Sequence, residues 1–141
     1  MTQLLSSRGV DISQRNFQQV IIRGDGKDQF NQIINQEISL LPPSKNLEVT
    51  INDQFMFAKN SFDQWSLVYL VEQDYKEVLK FISNMNLNDE ILASDYSYGQ
   101  VYFEISGRNR NEFLNKLTHF DLRLKKFPAF SMAQTLIAKI D

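Results

Sequence analysis

Apolar residues recur along the chain with two alternating periods, which lay out a series of strands and helices. Phe17 to Arg23 holds the β-branched run Val20-Ile21-Ile22, a strand pattern. Gly24-Asp25-Gly26 then turns the chain into a helical spacing of Phe30, Ile33 and Ile34, giving a first β-α unit that Pro42 and Pro43 close. Leu47, Val49 and Ile51 share one side of the next strand. Asn52-Asp53 is placed for a tight turn, and Phe55 and Phe57 continue on the return strand. In Gln64–Val71, Trp65, Leu67, Tyr69 and Val71 fall on one face with Val68 and Leu70 on the other, which predicts a central strand covered on both sides.

After it, Tyr75, Val78, Leu79 and Ile82 stand at i, i+3, i+4 and i+7, the stripe of an amphipathic helix lying on a sheet. Ile91–Gly107 reads as two strands around Tyr98-Gly99, the second alternating Val101, Phe103 and Ile105 against Tyr102 and Glu104. Asn109 and Glu112 have the spacing of a capping box, with Phe113, Leu114 and Leu117 on the buried side of a short helix. Ala133–Ile140 is the last predicted strand. The order β-α-β-β-β-α-β-β-α-β predicts an α+β fold of ferredoxin-like β-α-β units, with a mostly antiparallel sheet and helices on one face. The 141 residues read as a single domain, 1–141, in which Met1 to Ser13 is expected to be partly mobile.

Composition narrows the function classes. Fifteen Lys and Arg against 17 Asp and Glu leave a net charge of -2, which argues against nucleic acid as the main partner, because phosphate neutralisation needs a basic face. The absence of cysteine removes disulfides, thiolate metal sites and cysteine nucleophiles, and one histidine cannot make a zinc site. The N-terminus lacks the pattern of a secretory signal, and no apolar run approaches the roughly eighteen residues of a membrane span. A soluble cytoplasmic protein with no membrane partner is expected.

Four features carry candidate chemistry. Gly24-Asp25-Gly26 sits where a phosphate would meet free backbone amides, but it lacks the third glycine of a dinucleotide fingerprint and reads as a turn. His119 and Asp121 have the residue types of an acid/base pair and Ser131 those of a nucleophile, yet the serine lacks an elbow motif. Arg123, Lys125 and Lys126 alternate with Leu122 and Leu124, which suggests a strip with its basic side toward solvent, or toward an anionic ligand or acidic partner. Tyr96, Tyr98, Tyr102, Phe127 and Phe130 gather near the end of the chain; any that face outward would make a partner surface or a flat-ligand pocket.

The stretch Ala93 to Ile140, ASDYSYGQVYFEISGRNRNEFLNKLTHFDLRLKKFPAFSMAQTLIAKI, resembles the gamma subunit of heterotetrameric sarcosine oxidase. Its signature positions are Asp95, Ser97 and Gly99 in a hairpin, Ser106 and Gly107 at a strand end, Asp121-Leu122, Phe127-Pro128, and Ala133-Gln134-Thr135 opening a strand. Leu114, Leu136 and Ala138 match as well. Upstream, LLPPSKN and FDQWSLVY look like the family's Leu-Pro turn and tryptophan strand, with Phe62 and Gln64 in place of its proline and glutamate. Arg108-Asn109 replaces the family's Pro-Asp, His119-Phe120 replaces a small residue and a cysteine, and the sequence ends at Asp141, short of the family's further strand and helix.

The same hairpin resembles the start of the folate-binding domain of glycine-cleavage aminomethyltransferases, so an aminomethyltransferase folate-binding-domain-like fold is implied. In those enzymes the catalytic aspartate follows the strand corresponding to Gln134–Ile140, so Asp95 does not inherit its role. Asp95 suits hydrogen bonding to turn amides instead. The resemblance implies a subunit with no active site or metal of its own, whose signature residues Asp95, Ser97, Gly99, Gly107, Asp121, Phe127, Pro128, Gln134 and Thr135 serve structure or an interface. It would dock against alpha-, beta- and delta-type subunits of a hetero-oligomeric flavoenzyme. Those subunits hold FAD, FMN, NAD and tetrahydrofolate and oxidise the N-methyl group of sarcosine. The alternative is a free-standing module that binds folate or another small molecule.

Overall fold

The computed structural model describes residues 2–135, and these gather into two compact units, Phe17–Gln100 and a second made of residues 2–16 with 101–135. The Phe17–Gln100 unit contains β3 (Gln18–Arg23), α1 (Asp28–Ile38), β4 (Val49–Ile51), β5 (Phe55–Ser61), β6 (Gln64–Tyr69), α2 (Tyr75–Asn86) and β7 (Leu92–Asp95). Its five strands pair antiparallel in the order β4-β5-β6-β3-β7. Without the added β4, this is the ferredoxin-like arrangement of two β-α-β units.

Register explains the burial. Val20 lies opposite Leu67 and Ile22 opposite Trp65, while Phe57 faces Leu67 from the other side, so one face of the sheet is continuously apolar. Phe30, Ile34 and Ile38 of α1 and Val78 and Met85 of α2 join these residues in one buried cluster, so both helices cover the same face. Each such fully buried side chain stabilises the unit by about 1.5–3 kcal/mol. Trp65 adds direction: its ring lies 4.8 Å from that of Phe30, and its indole Nε1 donates to the Pro43 carbonyl at 3.0 Å. Pro42-Pro43 thereby close the β-α unit by a bond as well as by sequence. β6, flanked by β5 and β3, buries Trp65, Leu67 and Tyr69 on one face and Val68 on the other, as its pattern predicts, but it ends at Tyr69, and Val71, expected on the first face, is 51% exposed.

The β4–β5 turn is also as expected. Asn52 accepts from the amides of Gln54 and Phe55 through Oδ1, at 2.9 and 2.7 Å, and its own amide donates to the Phe55 carbonyl. In α2 the buried stripe is displaced from the expected one. Val78 and Met85 are buried with Phe81 and Ile82 packed beside them, whereas Tyr75 and Leu79 are 45% and 42% exposed. Asp74 caps this helix by accepting from the Lys76 amide.

The second unit is built on β1 (Thr2–Ser7), β2 (Val10–Arg15), β8 (Tyr102–Ser106) and α3 (Arg110–Asn115), with the three strands antiparallel in the order β1-β2-β8. Thr2–Ser7 and Val10–Arg15 therefore form a hairpin, with a register shift between Gln3 and Leu5, across the stretch Met1 to Ser13 for which partial mobility is expected. Its tip has Arg8 and Gly9 at φ +55° and +75°, the left-handed backbone that a two-residue turn of the right twist requires. β7 and β8 do not pair with each other as the two arms of a hairpin: β7 adds to β3 in the five-stranded sheet and β8 to β2 in this one. Asn109 does not form the expected capping box. Its side chain makes no cap bond and instead donates to the Arg8 carbonyl, while its amide donates to Gly9. Ala133–Thr135 carry no strand, and the remainder of the predicted last strand, 136–140, lies outside the described residues.

Candidate functional site

Asp95 ends β7 and organises the turn that follows. Its Oδ1 accepts from the Ser97 amide at 3.0 Å and from the Ser97 hydroxyl at 2.7 Å, closing a side-chain-mediated turn. Its Oδ2 accepts from the Tyr75 hydroxyl at 2.6 Å, which joins the end of β7 to the first turn of α2. The Ser97 oxygen in turn accepts from the Gln19 amide, and the Tyr96 amide donates to the Gln19 carbonyl, so the turn extends the β3–β7 pairing by side-chain means. Burial works to raise the Asp95 carboxyl, but the hydrogen bonds from Tyr75 and Ser97 outweigh it and hold it below the ordinary carboxylate value. The same hydrogen bond, donated to Asp95, raises the Tyr75 phenol above its ordinary value. Gly99 lies under the Tyr96 ring: a Cβ there would stand 2.5 Å from it, so a side chain at this position would displace the ring.

Gly107 is the second signature turn. At φ +104° it occupies backbone that side chains disfavour, and a Cβ would run into the Gly9 carbonyl oxygen. The strand end thus packs backbone to backbone on the hairpin tip.

The segment from His119 to Thr135 contains the expected acid/base candidates but does not assemble them. Both Asp121 oxygens are taken by the Arg123 guanidinium, with Nε at 2.9 and 3.1 Å and Nη2 at 2.6 Å, and the Arg123 amide donates as well. These hydrogen bonds pull the Asp121 carboxyl down to about 2, which leaves it a poor proton acceptor. Ser131 donates its hydroxyl to the Pro128 carbonyl, and His119 is exposed. No hydrogen bond joins His119 to Asp121 or Ser131 among the described residues. Arg123 to Phe127 forms a turn, with Lys126 and Phe127 amides donating to the Arg123 carbonyl, so Leu122–Lys126 is not the alternating strip the spacing suggested.

Phe127 packs edge-on against Phe120 at 5.3 Å. Pro128 and Gln134 are exposed, and the Thr135 hydroxyl lies 3.0 Å from that of buried Thr118. Among the other aromatics, Tyr98 is 93% exposed and Phe130 64%, whereas Tyr102 is half-buried.

Gly24-Asp25-Gly26 is committed to packing. A Cβ on Gly24 would meet the Phe30 ring, and one on Gly26 would lie 3.0 Å from Trp65, while Asp25 accepts from the Lys27 amide. Among the described residues no group of three or more His, Asp or Glu could hold a metal ion, and no helix is long and apolar enough to cross a membrane.

Among the described residues, each unit has an open cavity of its own. In the Phe17–Gln100 unit a cleft of about 800 Å³ has an acidic rim that includes Asp25, Asp63, Asp89 and Glu90, with Arg23 4.0 Å from Asp63. In the other unit a cavity of about 540 Å³ lies between the β1–β2 hairpin and α3. Sequence reasoning missed the second because it passed over the hairpin; the signal was the glycine of Arg8-Gly9 set before alternating Val10 and Ile12.

No protein family and no curated protein matches this sequence. Among solved structures, a chain of the heterotetrameric sarcosine oxidase from Corynebacterium sp. U-96, in complex with pyrrole 2-carboxylate, shares the fold at a TM-score of 0.77. The match covers 96% of this chain and 69% of that one, at 14% sequence identity. The chain therefore has an α+β fold also found in that oxidase complex.

Proposed function

We propose that this chain is a non-catalytic, gamma-type subunit of a hetero-oligomeric complex of the sarcosine oxidase kind, one that oxidatively demethylates sarcosine or a related N-methyl amino acid. The observation that carries the reading is the shared fold over 96% of the chain with a subunit-bearing oxidase. In this role the chain contributes shape and contact, and FAD, FMN, NAD and tetrahydrofolate belong to its partners. The signature residues act within it as turn builders: Asp95 and Ser97 fix one turn, and Gly107 another.

Co-expression with the flavoprotein alpha-type subunit of such a complex tests the proposal. Co-elution of the two chains at micromolar concentration is the expected result. Separate elution overturns it, and separate elution together with a thermal shift by tetrahydrofolate favours a free-standing folate-binding module.

A further inference from the structure

The net charge of -2 conceals two opposite charges. The unit of residues 2–16 and 101–135 carries eight Lys and Arg against four Asp and Glu, while Phe17–Gln100 carries six against twelve. The cavity of about 540 Å³ lies in the basic unit and has the size range of small-molecule pockets. Its lining divides by chemistry. Leu5, Val10 and Phe113 are apolar, and Val10 is buried; Arg8, Lys116 and Glu112 are charged. None of these three charges takes part in an ion pair among the described residues, so two cations and one carboxylate line the cavity with an excess of one positive charge.

Arg8 is an unusual choice for its place. Left-handed hairpin tips favour Asn, Asp or Gly, and a long side chain at φ +55° costs stability that those residues would avoid. The tip is held there from α3's approach, by Asn109 donating to the Arg8 carbonyl at 2.6 Å and to Gly9 at 3.0 Å. The backbone that carries Arg8 is thus held at the cavity, at a cost to the turn, with its exposed side chain on the lining, and guanidinium is the group best shaped to take a carboxylate, sulfonate or phosphate.

We infer that the cavity between the β1–β2 hairpin and α3 binds an organic anion with an apolar body, its charge taken by Arg8 and Lys116 and its body by Leu5, Val10 and Phe113. An extended polyanion would use the basic surface but not the apolar floor.

Calorimetric titration of the full chain with 1-naphthalenesulfonate, with neutral 1-naphthalenemethanol as isostere, tests this. The sulfonate binds and the alcohol does not. Arg8→Asn and Lys116→Gln each weaken the sulfonate by about tenfold, the loss of one charged hydrogen bond. Because Asn suits the left-handed tip, Arg8→Asn does so without lowering the unfolding temperature, which separates ligand recognition from folding. Absence of sulfonate binding, equal binding of the alcohol, or unchanged affinity in both variants overturns the inference. Tighter binding of a poly-glutamate peptide than of the sulfonate also overturns it, assigning the cavity to an acidic protein surface.

Discussion

The Tyr75 hydroxyl, in the first turn of α2, donates to Asp95 at the end of β7 across 2.6 Å, so one carboxylate fixes both the turn after its own strand and the start of a helix twenty residues earlier. Asp95→Ala removes all three contacts at a partly solvated site and is expected to destabilise the chain by about 1 kcal/mol, below the range for buried hydrogen bonds to a charged group because solvent screens the site. The effect depends on pH from both ends. Asp95 is depressed in the fold, so its contribution is full above the unfolded carboxylate value of about 4 and is lost as pH falls through its lower folded value. Tyr75 is raised, so its contribution is present below about 10 and is lost as pH rises through its higher folded value. The difference in unfolding temperature between the native chain and Asp95→Ala, measured by circular dichroism, should be widest between those limits and close in acid.

Gly107→Ala places a Cβ against the Gly9 carbonyl in a left-handed backbone. A loss of about 2 kcal/mol or more is expected in urea unfolding, against about 1 kcal/mol for an ordinary exposed Gly change. Loss of amide protection should concentrate in β2 and β8, whose pairing that turn secures.

The register of α2 is tested by a pair of substitutions. Met85→Ala, at a buried site, should cost about 2–5 kcal/mol. Leu79→Gln, at a site 42% exposed, should stay within about 0.5 kcal/mol. A larger loss from Leu79→Gln than from Met85→Ala would place the stripe back where the sequence pattern put it.

Asp121 should remain ionised in acid. A carbon-detected titration is expected to find its carboxyl midpoint near 2, and in Arg123→Gln the midpoint should rise toward the ordinary carboxylate value. The Arg123 pair contributes above the unfolded value and is lost as pH falls through about 2. His119→Ala, which removes no hydrogen bond among the described residues, should leave both the unfolding temperature and the turnover of an assembled oxidase complex unchanged.

What the sequence disclosed follows from how locally each element is determined. β6 was legible because both of its faces are buried, and α1 because Phe30 and Ile34 recur at helical spacing with nothing competing for them. The face of α2 was read rightly at Val78 and Ile82 but wrongly at Leu79 and at Tyr75, which counts as apolar by its ring while its hydroxyl is committed to Asp95 at the helix edge. β1 was invisible because all six of its residues are exposed and it offers no apolar face to read. The pairing of β8 was also out of reach: Glu104 finds Ser13 across the sheet, and alternation within β8 carries no information about that distant partner. At the site, the turn-building role of Asp95 was readable from its Ser97 neighbour, but the Tyr75 partner and the cavity beside Arg8 required the fold.

The burial of Trp65 has a practical consequence, since it is the sole tryptophan and sits at the centre of the Phe17–Gln100 cluster. Its fluorescence therefore watches one unit alone. In the other unit, Val10 is the one buried hydrophobic among the described residues, so far less apolar surface protects it. Denaturant curves followed by tryptophan emission should consequently lag behind those followed by far-ultraviolet dichroism, and an added binding partner that closes the gap would reveal which half of the molecule it clasps.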